Sequence, residues 1–377
     1  MSTKTRKDSI QHTKRWVIKI GSALMTDNGL GLRQDVVQNW ADQIQQLKSQ
    51  GHEIVLVSSG AVAEGLSRLQ WQERPKALNQ LQAAAAIGQM GLIQAWESSF
   101  REHGIHTAQI LLTREDIDDR ERYLNARSTL QELLKLGVIP IVNENDTVST
   151  EEIRFGDNDR LAGLVCHLID AQMLLLLTDQ NGLYTADPRK HTDAELLHSV
   201  RANDDALMQY AGAGGALGRG GMVSKLNAAR IAASSGANTI IAHGLESSIL
   251  TRLYAGEELG TFFQADQETL AAKKLWLTGL STVAGQLVLD DGAVNVLKNK
   301  GKSLLSVGVI DVKGQFERGD FVACIDQQGN EIARGLVNYS SKASTTIKGQ
   351  ASQKFEELLG YVDEPELIHR DNLILMK

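Results

Sequence analysis

A lysine sits inside an apolar run in Val17-Ile18-Lys19-Ile20-Gly21-Ser22-Ala23. An ammonium there is costly unless it is paired or reaches a ligand. The plainer alternative is an edge-strand lysine whose head snorkels to water. Gly21, directly after it, lets backbone come close to a phosphate. A second apolar run ends in Val57-Ser58-Ser59-Gly60-Ala61-Val62. Its hydroxyls and amides suit a small anion such as a carboxylate, or simply cap a following helix. The densest polar stretch is Val142-Asn143-Glu144-Asn145-Asp146-Thr147, followed by Phe155-Gly156-Asp157-Asn158-Asp159. Acidic and amide groups this closely spaced are fitted to bind an amino group, to order lysines, or to hold Mg2+ through water. In an ordinary acidic turn they would bond to their own backbone instead.

Two further segments suit a nucleotide. Leu177-Thr178-Asp179-Gln180-Asn181-Gly182-Leu183-Tyr184-Thr185-Ala186-Asp187-Pro188 runs from an apolar strand into a polar loop, a natural seat for a base and ribose. Gly218-Arg219-Gly220-Gly221-Met222-Val223-Ser224-Lys225 is glycine-rich and ends in a lysine just before a helix. Its amides and ammonium suit β- and γ-phosphates. It is not a Walker A loop, which needs Gly-Lys followed by Ser or Thr. Phosphoryl transfer asks for positioned positive charge and cradling amides more than for covalent chemistry, and these segments supply both.

The elements that must position them form a regular alternation. Apolar runs occur at Trp16–Ile20, Ile54–Val57, His106–Leu112, Val138–Val142, Met173–Leu177 and Thr239–Ala242. Most are continuous, as expected of strands buried on both faces. Helix-like stretches separate them at Leu32–Gln50, Lys76–Glu102, Arg120–Leu136, Asp159–Ile169 and Lys225–Ser235. Strand-helix alternation predicts an α/β sandwich around a mainly parallel sheet, whose ligands bind at the strand ends. Near residue 271 the character changes. Short β-rich runs at Trp276–Gly279, Gln286–Leu289, Val307–Val312, Asp320–Ile325 and Glu331–Val337 surround one helix-like piece, Asp291–Lys300. This pattern predicts a small β-barrel-like domain. The expected organisation is a flexible extension over 1–15, an α/β domain over 16–265 and a β-rich domain over 273–377.

Bulk properties fit two globular domains. The chain has 377 residues, 42% hydrophobic and 23% charged, with only four prolines, too long for one ordinary core. Lys and Arg against Asp and Glu number 26 against 33 over 1–271 and 13 against 13 over 272–377. Neither part is a basic body of the kind that holds nucleic acid by neutralising phosphates. Cys166 and Cys324 lack metal-site spacing and lie in apolar surroundings, which predicts buried thiols and a reducing compartment. Residues 1–15 are polar and basic with no apolar segment after them, and the aliphatic run Met173–Leu177 is far too short to cross a bilayer. The expectation is a cytoplasmic protein without membrane attachment.

Taken in order, the segments closely resemble the glutamate 5-kinases within the amino-acid kinase family. The stretches that carry the resemblance include Lys19-Ile20-Gly21-Ser22, Val57–Val62, Gln82–Gln89, Leu124–Arg127, Pro140–Asp146, Phe155–Asp159, Leu176–Asp179, Gly182–Arg189 and Gly220-Gly221-Met222 with Lys225. The likeness spans roughly residues 14–375, and the C-terminal part looks like the PUA domain carried by many bacterial members.

The resemblance implies an amino-acid-kinase three-layer sandwich followed by the PUA-like domain. It implies that ATP, with Mg2+, phosphorylates the γ-carboxylate of L-glutamate, opening proline synthesis. Lys19 and Lys225 match the lysines that offset charge on the moving phosphoryl group, and Asp159 the aspartate that orders them. Ser59, Asp146 and Asn158 match glutamate-binding positions. Thr178, Asp179 and the loop Arg219, Gly220, Gly221, Met222, Val223, Ser224 and Lys225 match nucleotide-binding positions. No metal ligands are assigned. Feedback inhibition by proline and homo-oligomeric assembly are further expectations. The chain departs from the family at Arg219, where Thr is usual, and at Ala23, where Ser or Thr is usual. An acetylglutamate kinase, an aspartokinase and an RNA-binding regulator using the tail are the competing readings. The tail's zero net charge disfavours RNA.

Overall fold

The computed structural model describes residues 6–27, 30–149, 158–211, 221–266 and 283–376. They fall into two compact units. One takes in residues up to 115 together with 127–266; the other joins 116–126 to 283–376.

The larger unit is built on an eight-stranded sheet. Its strands are β1 (Arg15–Ile20), β2 (Glu53–Ser58), β3 (Thr107–Leu112), β4 (Ile139–Glu144), β5 (Met173–Thr178), β6 (Ser199–Arg201), β7 (Asn238–His243) and β8 (Thr261–Gln264). The spatial order is β3-β4-β2-β1-β5-β7-β8-β6. All pairings are parallel except that of β8 with β7. The strand order reverses at β1, which lies between β2 and β5, so the topological switch point of the sheet falls at the end of β1. The six expected strands are present, each within about two residues of its expected limits. The short β6 and β8 were not foreseen, because three or four residues are too few to show a period. Nor is β3 buried on both faces. It is an edge strand, half-exposed over most of its length, with Leu111 open to solvent.

Alternation along β1 decides which side chains meet. Trp16, Ile18 and Ile20 join one apolar core with Val37, Trp40 and Ile44 of α2 (Gln34–Ser49) and Leu92 and Trp96 of α4 (Leu78–Arg101). Val17 and Lys19 therefore face the other side of the sheet. That side is covered by α6 (Asp159–Ile169) and α7 (Met222–Ser234), both of which pack on β5. The two helices approach closely at Gly163, where a Cβ would lie 2.9 Å from the Ala228 carbonyl oxygen. Two further helices are α3 (Ala61–Arg68) and the 16-residue α5 (Arg120–Lys135).

Residues 6–14 differ from the expected flexible extension. Arg6–Gln11 form helix α1, Ile10 is fully buried in the main core, and Arg6 lies over the Phe262 ring and bonds the Leu259 carbonyl. One isoleucine in a polar segment carries little weight in a composition-based reading, yet here it docks the segment.

The smaller unit has a five-stranded sheet of β9 (Gly285–Leu289), β10 (Val309–Gly314), β11 (Phe321–Ile325), β12 (Glu331–Leu336) and β13 (Leu373–Leu375), in the order β10-β9-β11-β12-β13. Helix Asp291–Lys300 matches its expected limits and is capped by Asp290, whose carboxylate accepts from the Ala293 amide. The core gathers Leu287, Val322, Cys324, Tyr339 and Phe355. The Tyr339 hydroxyl donates to the Glu364 carbonyl and accepts from the Asp363 and Glu364 amides. The expected run Trp276–Gly279 lies outside the described residues, as does most of the 265–273 boundary.

Cys166 and Cys324 are free and buried, and burial pushes both thiols up, that of Cys324 to about 12. No helix among the described residues is long and apolar enough to cross a membrane.

Candidate active site

Three charged side chains converge at the switch point. Lys19 Nζ lies 2.5 Å from Asp159 Oδ1, and Lys225 Nζ lies 3.1 Å from Asp159 Oδ2. All three are buried, Asp159 completely. Each is delivered by a different element. Lys19 points from β1 toward α6 because of strand alternation, Asp159 opens α6, and Lys225 stands in the first turn of α7. Burial alone would raise the Asp159 carboxyl, but the two ammonium groups outweigh it and hold it down at about 2. The carboxylate is thus ionised at any working pH, and with two lysines the trio carries a charge of +1. Gly21 leaves room beside it: a Cβ there would lie 3.9 Å from Lys19 Nζ. The snorkelling alternative for Lys19 is excluded, since its head is buried and ion-paired.

A group of amides lies at the ends of β2 and β4. Asn158, just before α6, donates through Nδ2 to the Ser58 carbonyl and to Asn143 Oδ1, both at 2.6 Å. Asn143 donates in turn to Gln89 Oε1 on α4 at 2.6 Å, and its Oδ1 also accepts from the Glu144 amide at 3.0 Å. Ser59 does not cap α3. The cap position belongs to Gly60, in a left-handed conformation with φ of 106° that suits glycine. Ser59 Oγ is buried without a hydrogen-bond partner among the described residues. A buried orphan hydroxyl is rare, and it favours the ligand-binding alternative for this segment over the capping one. Asp146 is half-buried in the turn that follows β4. Neither Asn143 nor Gln89 was assigned a part from sequence. The signal was an amide inside a buried strand end and another on the buried face of an alanine-rich helix, placements that require a partner.

On the nucleotide side, Thr178 ends β5 and its hydroxyl donates to Asp179 Oδ1 at 3.1 Å. Asp179 is exposed at the opening of the loop. Gly221 precedes α7, and Met222, Val223, Ser224 and Lys225 form its first turn; the Ser224 and Lys225 amides bond the Gly221 carbonyl, and the Met222 and Val223 amides stand at the helix N-terminus. Arg219 and Gly220 lie outside the described residues, as do Phe155, Gly156 and Asp157. Ala23 is exposed on the single helical turn Ser22–Met25.

The chain matches the amino acid kinase family over residues 14–243 and the PUA domain over 285–359. A glutamate 5-kinase of Hahella chejuensis is 59% identical over 368 residues, covering 97% of this chain and 95% of the relative. One from Ectopseudomonas mendocina is 59% identical over 371 residues, covering 98% and 100%. The chain belongs to the glutamate 5-kinase family. A solved UMP kinase of Bacillus anthracis shares 16% identity, with a TM-score of 0.49, over 68% of this chain and 97% of that one. The glutamate 5-kinase match covers both units, so family membership extends through the C-terminal domain.

Proposed function

We propose that this chain transfers the γ-phosphoryl group of ATP to the γ-carboxylate of L-glutamate, the first step of proline biosynthesis. The observation that carries the reading is the buried Lys19–Asp159–Lys225 trio at the sheet's switch point, in a chain of this family. A γ-carboxylate has a pKa of about 4.3, so at neutral pH it is already an ionised nucleophile and needs no general base. One of its oxygens bonds to the γ-phosphorus as the bond from that phosphorus to the bridging oxygen breaks, and ADP leaves with the electron pair. No proton moves. The difficulty is repulsion, because two anions must approach to about 3 Å. Lys19 and Lys225 offset that charge, and Asp159 holds their ammonium groups apart in fixed positions.

In this reading Ser59, Asp146 and Asn158 receive glutamate, and Thr178, Asp179 and the segment Arg219–Lys225 receive ATP. Mg2+ accompanies the nucleotide. Among the described residues no three His, Cys, Asp or Glu side chains cluster to hold a metal, and Asp159 is engaged by its lysines. When bound, the ion would offset charge on the ATP phosphates. The reading further includes a catalytic domain over 16–265, a PUA-like domain over 273–377, a cytoplasmic location and a symmetric homo-oligomer. Proline shares glutamate's α-carboxylate and amine and competes for the same groups. Millimolar proline at sub-saturating glutamate should inhibit; unchanged activity would defeat that part.

The test of the function is an ADP-release assay with L-glutamate, L-aspartate and N-acetyl-L-glutamate as acceptors. Glutamate should be turned over with by far the highest kcat/KM. A preference for either of the others would assign the chain to a different amino-acid kinase.

A further inference from the structure

One stripe of α4 underlies the glutamate pocket. Gln82, Gln89 and Trp96 follow one another at seven-residue intervals, which places them on the same helix face. Gln82 donates to the Ser149 carbonyl at 3.1 Å, beyond the turn that holds Asp146. Trp96 donates to Ser58 Oγ at 3.1 Å, beside Ser59. Gln89 accepts from Asn143. A helix on an apolar face of the sheet thus touches the ends of β2 and β4 and the segment after β4 through three polar groups.

The middle contact has a direction that side-chain amides alone would leave undetermined. Asn143 Oδ1 accepts from the backbone amide of Glu144, which can only donate. Its Nδ2 must therefore face Gln89, and Gln89 must present Oε1. At the other end, Asn158 Nδ2 donates to the backbone carbonyl of Ser58, which can only accept. Two backbone groups of fixed polarity thus orient the whole row. With both its Nδ2 bonds spent inside the protein, Asn158 keeps Oδ1, an acceptor, with no partner among the described residues. Gln89 Nε2 is buried and likewise without a partner there, so Gln89 serves the row through one atom.

We propose that Gln89 is a positioning residue for substrate specificity: through Asn143 it locks the Asn158 amide with its carbonyl oxygen turned to the substrate's ammonium. This rests on the assignment of Asn158 to the glutamate pocket. Without the Gln89 acceptor, Asn143 keeps its bonds from the Glu144 amide and Asn158 but leaves a buried Nδ2 donor unsatisfied, which loosens the amide on which Asn158 rests. The consequence falls on recognition of the amine and not on the phosphoryl group, which lies with the lysines.

Gln89→Met keeps the volume and removes the acceptor; Gln89→Glu keeps an oxygen at that position. For Gln89→Met, glutamate KM should rise about tenfold or more, while ATP KM and kcat at saturating glutamate stay within about threefold of wild type. Its preference for glutamate over glutarate, which lacks the amine, should narrow by a similar factor. Gln89→Glu should restore most of the glutamate affinity. If Gln89→Met does not fold, Gln89→Asn offers the same groups one methylene short and should show the same KM shift. Asn158→Ala is measured alongside. A normal glutamate KM in Asn158→Ala would overturn the pocket assignment itself. An impaired Asn158→Ala with a normal Gln89→Met, or an unchanged glutamate-to-glutarate preference, would overturn the role of Gln89 alone.

Discussion

Lys19 Nζ stands 2.5 Å from Asp159 Oδ1, joining the end of β1 to the first turn of α6 through one buried ion pair. The second oxygen of the same carboxylate holds Lys225 at 3.1 Å. The aspartate thus spaces two like charges that would otherwise repel, and the spacing fits them to flank an anion. Lys225→Ala should lower kcat by about a hundredfold or more, the usual scale for removing one group that stabilises transition-state charge. Glutamate KM should stay within about threefold, because the charge matters most as the phosphoryl group moves. Steady-state kinetics decide it: near-normal turnover would remove Lys225 from the mechanism. Lys19→Ala should behave alike, with some added loss of ATP affinity.

Helix α3, which follows Ser59, is seated against α4 with no room for a side chain between them. A Cβ on Gly88 would lie 1.9 Å from the Ala61 carbonyl oxygen and 2.3 Å from the Gly65 amide nitrogen. Backbone cannot yield as a flexible side chain does. Gly88→Ala should therefore destabilise the fold by at least the ~1–3 kcal/mol typical of overpacking. Because Ala61 opens α3, the strain also reaches Ser59 and Gly60. Calorimetry should show a lower Tm, and kinetics a raised glutamate KM with ATP KM less affected. Unchanged Tm would show that the helices can part without cost.

His52 supplies a pH dependence remote from the site. It is buried, Nδ1 lies 2.9 Å from the Thr13 carbonyl oxygen, and its ring meets Trp16 and Tyr254 edge-on. Loss of hydration lowers its pKa below the ordinary 6.5, and the bond to Thr13 only partly opposes this. The unfolded chain then binds a proton near pH 6.5 that the folded chain refuses. The stability that His52 contributes is complete above about pH 6.5 and declines as pH falls below it. His52→Phe keeps the ring packing and removes the titration. The difference in Tm between pH 7.5 and pH 5.5 should be smaller in this variant than in the wild type. An equal difference would assign the acid sensitivity to other groups.

How much of this was legible in the sequence follows the physics of each signal. Strands buried on both faces announce themselves as unbroken apolar runs, so β1, β2, β4, β5 and β7 could be read directly. Lys19 stood out because an ammonium in such a run needs a reason. Its partner could not be read from periodicity: Asp159 is distant in sequence, and only strand alternation and the packing of α6 bring them together. The amide row was harder still. Asn143 was visible as part of a dense polar stretch, but Gln89 lies in an alanine-rich helix where an amide resembles any other polar residue. Its orientation depends on two backbone groups, Glu144 N–H and Ser58 C=O, whose positions exist only in the fold. The docking of α1 through Ile10 was missed for a related reason, since a single apolar residue has no period.

Asp146 separates recognition of glutamate from that of ATP. Asp146 occupies the turn after β4, the strand whose end carries Asn143, and Asn143 bonds Asn158. A carboxylate in that place pairs naturally with a free ammonium. Removing one partner of a partly buried charge pair costs on the order of 2–5 kcal/mol. Asp146→Ala should therefore raise glutamate KM by at least about tenfold, at ~1.4 kcal/mol per decade. ATP affinity should hardly change, because Thr178 and the first turn of α7 belong to other elements. N-acetylglutamate has no ammonium to pair and should be a poor substrate of the wild type. Acetylation also adds bulk, so glutarate is the cleaner control: its kcat/KM should be low in the wild type and largely insensitive to Asp146→Ala. If Asp146→Ala instead kept its glutamate KM and bound ATP weakly, the glutamate and nucleotide sites would have to be exchanged.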